Sequence, residues 1–191
     1  QMFSNAVIQG VLPWMTALEN ICFGLEMRGV PRAERVGIGQ NYLETLGLSG
    51  FAHHFPSQMS GGMRQRVNLG RAFANDPAIL LMDEPLSALD EQTKMLVQDD
   101  LLELWEGTKK TVVYITHSLD EAVVLGDRVA VMSFRPARVC EVFDIDLPRP
   151  RNALEIRNDF RFIEIRQQIW ECLRAEVLNA QAAQSTTGGL K

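Results

Sequence analysis

The run Ile79-Leu80-Leu81-Met82-Asp83-Glu84 is the clearest indication of the fold in this sequence. Its consecutive apolar residues predict a short strand that is covered on both faces, as in a parallel sheet. Two acidic residues end the strand, so they are expected at the carboxyl edge of the sheet, where open α/β proteins bind ligands. The first acid suits Mg²⁺, and the second is placed to orient or deprotonate a water molecule. The alternative is that Asp83-Glu84-Pro85 only ends the strand in a solvated turn.

The sequence after this strand alternates between strand and helix patterns. The segments 111–116 and 128–132 are short and β-branched, like the first strand, and they are expected in the same parallel sheet. Helical patterns cover 91–106 and 118–125 between them, and 138–147 predicts a closing strand or hairpin. This order predicts an α/β fold.

The sequence before the strand is helical. Thr16-Ala17-Leu18-Glu19 is a capping-box pattern, and the helix that it begins is expected to stop at Gly29. Pro31 predicts the start of a second helix, and Ser60 precedes a third. The residues 3–8 predict a short strand, and 154–177 an amphipathic helix.

Composition sets broad limits on the function. The chain has 191 residues, of which 46% are hydrophobic and 23% charged, with a formal net charge of −5. This balance gives no general affinity for nucleic acid, and no apolar run approaches the length of a membrane span. Cys22, Cys140 and Cys172 are far apart in the sequence, without metal-type spacing, and are expected to be reduced thiols.

Three further segments are candidates for phosphate chemistry. Ser60-Gly61-Gly62-Met63-Arg64-Gln65-Arg66 places backbone amides at the positive end of a helix dipole, although an ordinary N-cap explains it equally well. Ser87-Ala88-Leu89-Asp90 follows the two acids and by itself indicates only a helix start. His117 ends a predicted strand, where an imidazole can bind a phosphate oxygen or a water, but a lone histidine there is usually a loop residue.

In this order and spacing, the four segments resemble the nucleotide-binding domain of the ABC ATPase family. Ser60 to Gln65 is similar to the signature motif, Ile79 to Glu84 to the Walker B strand, and Ser87 to Asp90 to the D-loop, while His117 matches the switch histidine. The resemblance implies a P-loop NTPase-like three-layer core with an ABC α-helical subdomain. Position 63 is Met, where many members have Gln. The segment 60–67 with this Met resembles the corresponding segment of bacterial importers.

The resemblance also implies roles for these residues. Glu84 would be the catalytic base, His117 would stabilise the γ-phosphate, and Asp83 would hold Mg²⁺. The segment Ser60 to Gln65 would contact ATP held by a second nucleotide-binding subunit in a head-to-tail dimer, and Asp90 would link the two sites. Gln9 is the candidate for the Q-loop glutamine that senses Mg²⁺ and the membrane partner.

No G-x-x-x-x-G-K-[ST] loop occurs in the sequence, although such a loop cradles the phosphates in this family. The sequence therefore predicts a chain truncated at its N-terminus, with the first strands of the core sheet missing. We expect apolar surface to be exposed, and poor solubility and negligible ATPase activity for the isolated chain. The alternative is a degenerate protein that has lost hydrolysis.

The segment from Leu12 to Ile21 and the tail after Pro148 resemble nitrate, sulfonate and taurine importers. The resemblance implies transmembrane permease subunits as partners, a periplasmic solute-binding protein indirectly, and a peripheral location on the cytoplasmic face of the inner membrane. The alternative class is a soluble ABC ATPase without a transporter.

Five ranges summarise the predicted domain organisation. They are the end of the Q-loop strand region (1–9), the helical subdomain with the signature motif (10–70), the remainder of the RecA-like core (71–150), an amphipathic helical tail (151–178) and a disordered end (179–191).

Overall fold

The computed structural model describes residues 10–133 and 135–187, with side chains as far as residue 178, and divides into two compact units, 1–116 and 117–191. The predicted strand at 3–8 and the candidate Gln9 lie outside the described residues. The unit boundary falls within the range 71–150, and the five-part domain organisation stays a prediction.

The helices of unit 1 begin where the capping signals predict. Helix α1 is Ala17–Met27, and the capping box at its start is complete: Glu19 N donates to Thr16 Oγ1, and Thr16 N donates to Glu19 Oε2. It ends before Gly29, whose φ of +76° is the conformation that glycine adopts at little cost. Helices α2 (Arg32–Thr45), α3 (Gly61–Ala74) and α4 (Glu91–Thr108) complete the helical part.

Close helix packing explains two glycines of unit 1. A Cβ on Gly70 of α3 would lie 3.0 Å from both Ile21 of α1 and Leu46 after α2, all of which are buried. Gly39 weakens α2 by propensity, but a Cβ there would lie 2.6 Å from Cys22 Sγ. These contacts let α1, α2 and α3 form one hydrophobic core.

Strands β1 (Ile79–Asp83) and β2 (Thr111–Ile115) form a two-stranded parallel sheet, in which Asp83 pairs with Ile115. Leu80 and Met82 are fully buried on one face. The other face carries Ile79, Val113 and Ile115, which are 38%, 48% and 53% exposed. The α/β class predicted from the sequence is confirmed, but β1 is covered by the described residues on one face only.

Unit 2 contains α5 (Leu119–Leu125), β3 (Arg128–Met132), β4 (Val139–Asp144) and α6 (Phe160–Thr187). The expectation that 128–132 joins a parallel sheet is wrong for the described residues, because β3 pairs antiparallel with β4. The connection between the two strands is short, which suits an antiparallel pair, whereas a parallel pair needs a long crossover. Of the two alternatives for 138–147, the closing strand is confirmed, because this range contains one strand, β4.

Helix α6 differs from its prediction at both ends. It starts at Phe160, six residues later than predicted, and continues to Thr187, although disorder was expected from 179. The residues 179–187 are rich in alanine and glutamine, which are good helix formers, and contain no glycine or proline. Of the helices in the described ranges, neither α4 nor α6 is apolar enough over its length to cross a bilayer.

Candidate functional site

The two acids stand at the carboxyl end of β1, as predicted. Asp83 is exposed and shares a sheet face with Ile79, because side chains alternate along a strand. Glu84 has a φ of +43°, which is the left-handed region and costs a residue with a Cβ about 1–2 kcal/mol. Such strain persists only where the surroundings enforce it.

Hydrogen bonds on both sides enforce the backbone of Glu84. Its N–H donates to the carbonyl of Ile115 on β2 at 2.9 Å. Its carbonyl accepts from Ser87 N at 3.2 Å and from Ser87 Oγ at 2.9 Å. The direction of the Glu84 Cα–Cβ bond is therefore set by the sheet and by the following turn.

The predicted anion site lies at the start of α3. Ser60 is the N-cap, and its Oγ accepts from Met63 N at 3.2 Å. Because this oxygen accepts within the helix, the Ser60 hydroxyl hydrogen remains available to donate outward. Gly61 and Gly62 carry the first two amides of the helix, which have no carbonyl one turn earlier to bind.

The remaining residues of the signature segment have structural contacts. Arg64 Nη1 donates to the carbonyls of Met59 at 2.6 Å and Pro56 at 3.4 Å, which holds the loop leading to Ser60. Gln65 is partly buried, and its Oε1 accepts from Asn68 at 3.4 Å. The contact of Met63 and Gln65 with nucleotide stays a prediction.

Asp90 is the N-cap of α4, and both of its carboxylate oxygens bind Thr93. Thr93 N donates to Oδ1 at 3.0 Å, and Thr93 Oγ1 donates to Oδ2 at 2.7 Å. The hydrogen bond from the Thr93 hydroxyl, followed by that from the Thr93 amide, lowers the pKa of Asp90 below its ordinary value. Asp90 is exposed and ionised at neutral pH.

The structure brings the starts of α3 and α4 together within one chain. A Cβ on Gly62 would lie 2.6 Å from Thr93 Cγ2, so the glycine is required for this helix contact. Besides placing an amide at the start of α3, Gly62 therefore allows the close packing of α3 on α4. Arg66 Nε donates to Asp100 Oδ2 at 2.6 Å further along the two helices. Burial nevertheless raises the pKa of Asp100, against the opposing effect of Arg66.

His117 is the first residue of unit 2 and is exposed, directly before Ser118, the N-cap of α5. Ser118 Oγ accepts from Glu121 N at 3.3 Å, as its capping signal predicts. The roles of His117 and Gln9 stay predictions.

The sequence did not predict the contacts by which three residues shape this site: Ser87, Thr93 and Arg64. Thr93 follows Asp90 by three residues, which is the spacing between an N-cap and the amide that it binds, so this contact was detectable from the sequence. Ser87 was placed in the D-loop segment, but its bonds to Glu84 were not predicted. Arg64 binds carbonyls of a preceding loop, and no sequence pattern reveals those partners.

Comparisons with known proteins agree with these features. A sequence model of the ABC transporter family matches residues 2–87. An uncharacterised ABC transporter ATP-binding protein of Methanocaldococcus jannaschii is 48% identical over 170 residues, which are 89% of this chain and 62% of that relative. The taurine import ATP-binding protein TauB of Rhizobium johnstonii is 45% identical over 163 residues, or 83% of this chain and 62% of TauB.

A solved structure gives the same assignment. The ATP-binding cassette MJ0796, in a dimeric post-hydrolysis state with ADP and Pi, is 32% identical with a TM-score of 0.59, over 75% of this chain and 63% of that one. The fold is that of an ABC ATP-binding cassette. The chain is similar to ATP-binding proteins of the ABC transporter family, and it spans about 62% of the length of the first curated relatives that it matches.

Proposed function

We propose that this chain is the nucleotide-binding part of an ABC importer subunit that hydrolyses ATP to ADP and phosphate. One observation supports this above the others: Glu84 is held in a strained backbone conformation, next to Asp83, at the carboxyl end of a parallel strand. Strain of this kind clusters at catalytic positions.

Glu84 would act as the general base. Its carboxylate would accept the proton of a water as the water oxygen attacks the γ-phosphorus, and the bond from that phosphorus to the β-bridging oxygen would break. Asp83 would hold Mg²⁺, which neutralises phosphate charge when it is bound. A single exposed carboxylate fits this ion, because Mg²⁺ keeps several waters and takes few protein ligands.

A second copy or a related subunit would complete the site. Ser60 and the amides of Gly61 and Gly62 would donate to the γ-phosphate of ATP that the partner holds, and Asp90 would link the two sites. The dimeric form of the similar cassette MJ0796 with ADP and Pi supports this arrangement.

Replacement of Glu84 by Gln tests the catalytic role in the complete gene product that contains this sequence. We expect ATP turnover to fall by about 10²–10⁴-fold while ATP binding is retained, because an amide cannot accept the proton. Glu103→Gln on the exposed surface of α4 is the control and should stay within about twofold of the parent. Unchanged turnover in Glu84→Gln would exclude the proposed mechanism.

An exposed tryptophan supports a membrane partner for the helical region. Trp14 is 69% exposed, so it is not packed in the described part of the core. The turn around it is held by fully buried Asn20, whose Nδ2 donates to the carbonyls of Leu12 at 3.1 Å and Met15 at 3.0 Å. A large aromatic side chain on a rigid turn is a favourable anchor for a protein interface.

We propose that a coupling helix of a transmembrane permease docks on residues 10–58, which would place the subunit on the cytoplasmic face of the membrane. We propose nitrate, a sulfonate or taurine as the solute, and the names of two taurine import relatives support the last of these. Site-specific crosslinking from Trp14 should capture a permease in membranes, whereas a crosslinker at Trp170 of α6, which is 50% exposed, should not. Capture from Trp170 alone would contradict this docking site.

The exposed sheet face is relevant to the behaviour of the 191-residue chain by itself. Ile79, Val113 and Ile115 form an apolar surface on the face that also carries Asp83. We propose that this surface makes the isolated chain poorly soluble, and that the chain without a phosphate-binding loop has negligible ATPase activity. Turnover at a normal rate by the monodisperse chain would contradict the second statement.

A further inference from the structure

The side chain of Thr93 contacts two of the candidate segments. It packs against Gly62 of the signature motif and binds Asp90 of the D-loop. Its hydroxyl donates to Asp90 Oδ2 at 2.7 Å. Its methyl carbon, Cγ2, occupies the space that a Cβ on Gly62 would enter, 2.6 Å away. Gly62 is buried, so this contact is part of the packed interior of unit 1.

The branched geometry of threonine makes these two contacts dependent on each other. The hydroxyl and the methyl group are attached to the same Cβ, and a single torsion angle, χ1, sets both directions. A shift of Gly62 toward α4 would therefore displace Thr93 Cγ2, and with it the hydroxyl that holds Asp90. Neither serine nor valine can supply both contacts.

A second connection keeps the two helices in register. The Arg66 guanidinium and the Asp100 carboxylate, 2.6 Å apart, join α3 and α4 at a point further from the two N-termini. With the helices joined there, the contact between Gly62 and Thr93 holds their N-terminal ends together.

We propose that Thr93 is a positioning residue that transmits the position of the Ser60-Gly61-Gly62 turn to the Asp90 carboxylate within the same chain. The consequence for turnover rests on the proposed function, in which this turn binds phosphate and Asp90 links two sites. Phosphate binding at the turn then alters the orientation of Asp90 without any direct contact between them.

The first experiment needs no nucleotide, so it tests the coupling separately from the proposed function. NMR titration of the Asp90 carboxyl should show a raised pKa in Gly62→Ala, because the added methyl group displaces Thr93. Gly61→Ala is the matched control, since its Cβ would lie at an ordinary 3.4 Å from Leu89. The double variant Gly62→Ala/Thr93→Ser should restore the parent titration, because the serine makes room and keeps the hydroxyl. An unchanged titration in Gly62→Ala overturns the inference.

The second experiment measures ATP turnover of the complete gene product with Thr93→Ser and Thr93→Val. We expect each to lower kcat by about tenfold, with KM for ATP within about twofold, because catalytic geometry and not binding is lost. A purely structural role would instead follow thermal stability, and parent kcat in either variant overturns the inference. If Glu84→Gln retains turnover while Gly62→Ala still shifts the Asp90 titration, the proposed function fails and the coupling stands.

Discussion

Arg151 should be among the most important residues for the stability of unit 2. Its side chain is 1% exposed, and its guanidinium is surrounded by backbone carbonyls. Nη1 donates to the carbonyls of Val123, Val124 and Gly126 at 3.3, 3.1 and 2.6 Å, and Nη2 donates to those of Ile145 and Leu147 at 3.2 and 3.1 Å. Arg151 thus connects the C-terminus of α5 to the segment that follows β4.

The expected loss of stability in Arg151→Met follows from the hydrogen-bond acceptors that lose their donor. Methionine fills a similar volume but donates no hydrogen bond, so the last carbonyls of α5 lose their partner and the negative end of the helix dipole loses its cation. Removal of one side of a buried charged network costs about 3–5 kcal/mol. Arg151→Lys should lower the stability of unit 2 by about 2 kcal/mol. An ammonium group can reach the carbonyls at the end of α5 or those after β4, but not both.

Hydrogen exchange over residues 119–132 measures the opening of this region. A loss of about 3–5 kcal/mol lowers protection by about 10²–10³-fold or more, at 1.4 kcal/mol for each factor of ten. Arg161→Met is the control, because Arg161 pairs with Asp146 at 3.2 Å with side chains 58% and 91% exposed. It should change protection by no more than about fivefold. If Arg151→Met resembles this control, the carbonyl contacts do not stabilise unit 2.

Three further predictions concern unit 1. Glu84→Gly should raise the free energy of unfolding by about 1 kcal/mol, because glycine adopts positive φ freely, whereas Glu103→Gly inside α4 should lower it by a similar amount; urea unfolding distinguishes them. Cys22 is 5% exposed and burial raises its pKa, so iodoacetamide should alkylate it at least tenfold more slowly than Cys140, with the difference lost in denaturant. Folding lowers the pKa of Asp90, so its contribution to stability is complete above its unfolded pKa and is lost as pH falls through the folded value. Urea midpoints should therefore fall with acidification less steeply in Asp90→Asn than in the parent, and equal slopes would contradict the assignment.

Part of the candidate site could be predicted from local sequence, and part depends on tertiary contacts. The chemistry of Asp83 and Glu84 was predicted from a strand that ends in two acids, but the positive φ of Glu84 was not, because Ser87 and Ile115 enforce it. From the sequence, Gly62 supplies only a backbone amide at a helix start, whereas the structure shows its contact with Thr93. Neither sequence segment indicates that the starts of α3 and α4 meet.

Local sequence was enough to predict the beginnings of α1, α3 and α5, the first two strands and the likeness to the ABC family, because capping residues, apolar runs and motif spacing act within a few residues of the chain. Folding was needed to show that β3 pairs with β4, that Arg151 is a buried carbonyl partner, and that Thr93 contacts two motifs. These features depend on which surfaces meet after the chain folds. The type of a residue determines the chemistry of its side chain, but packing determines which residues it contacts.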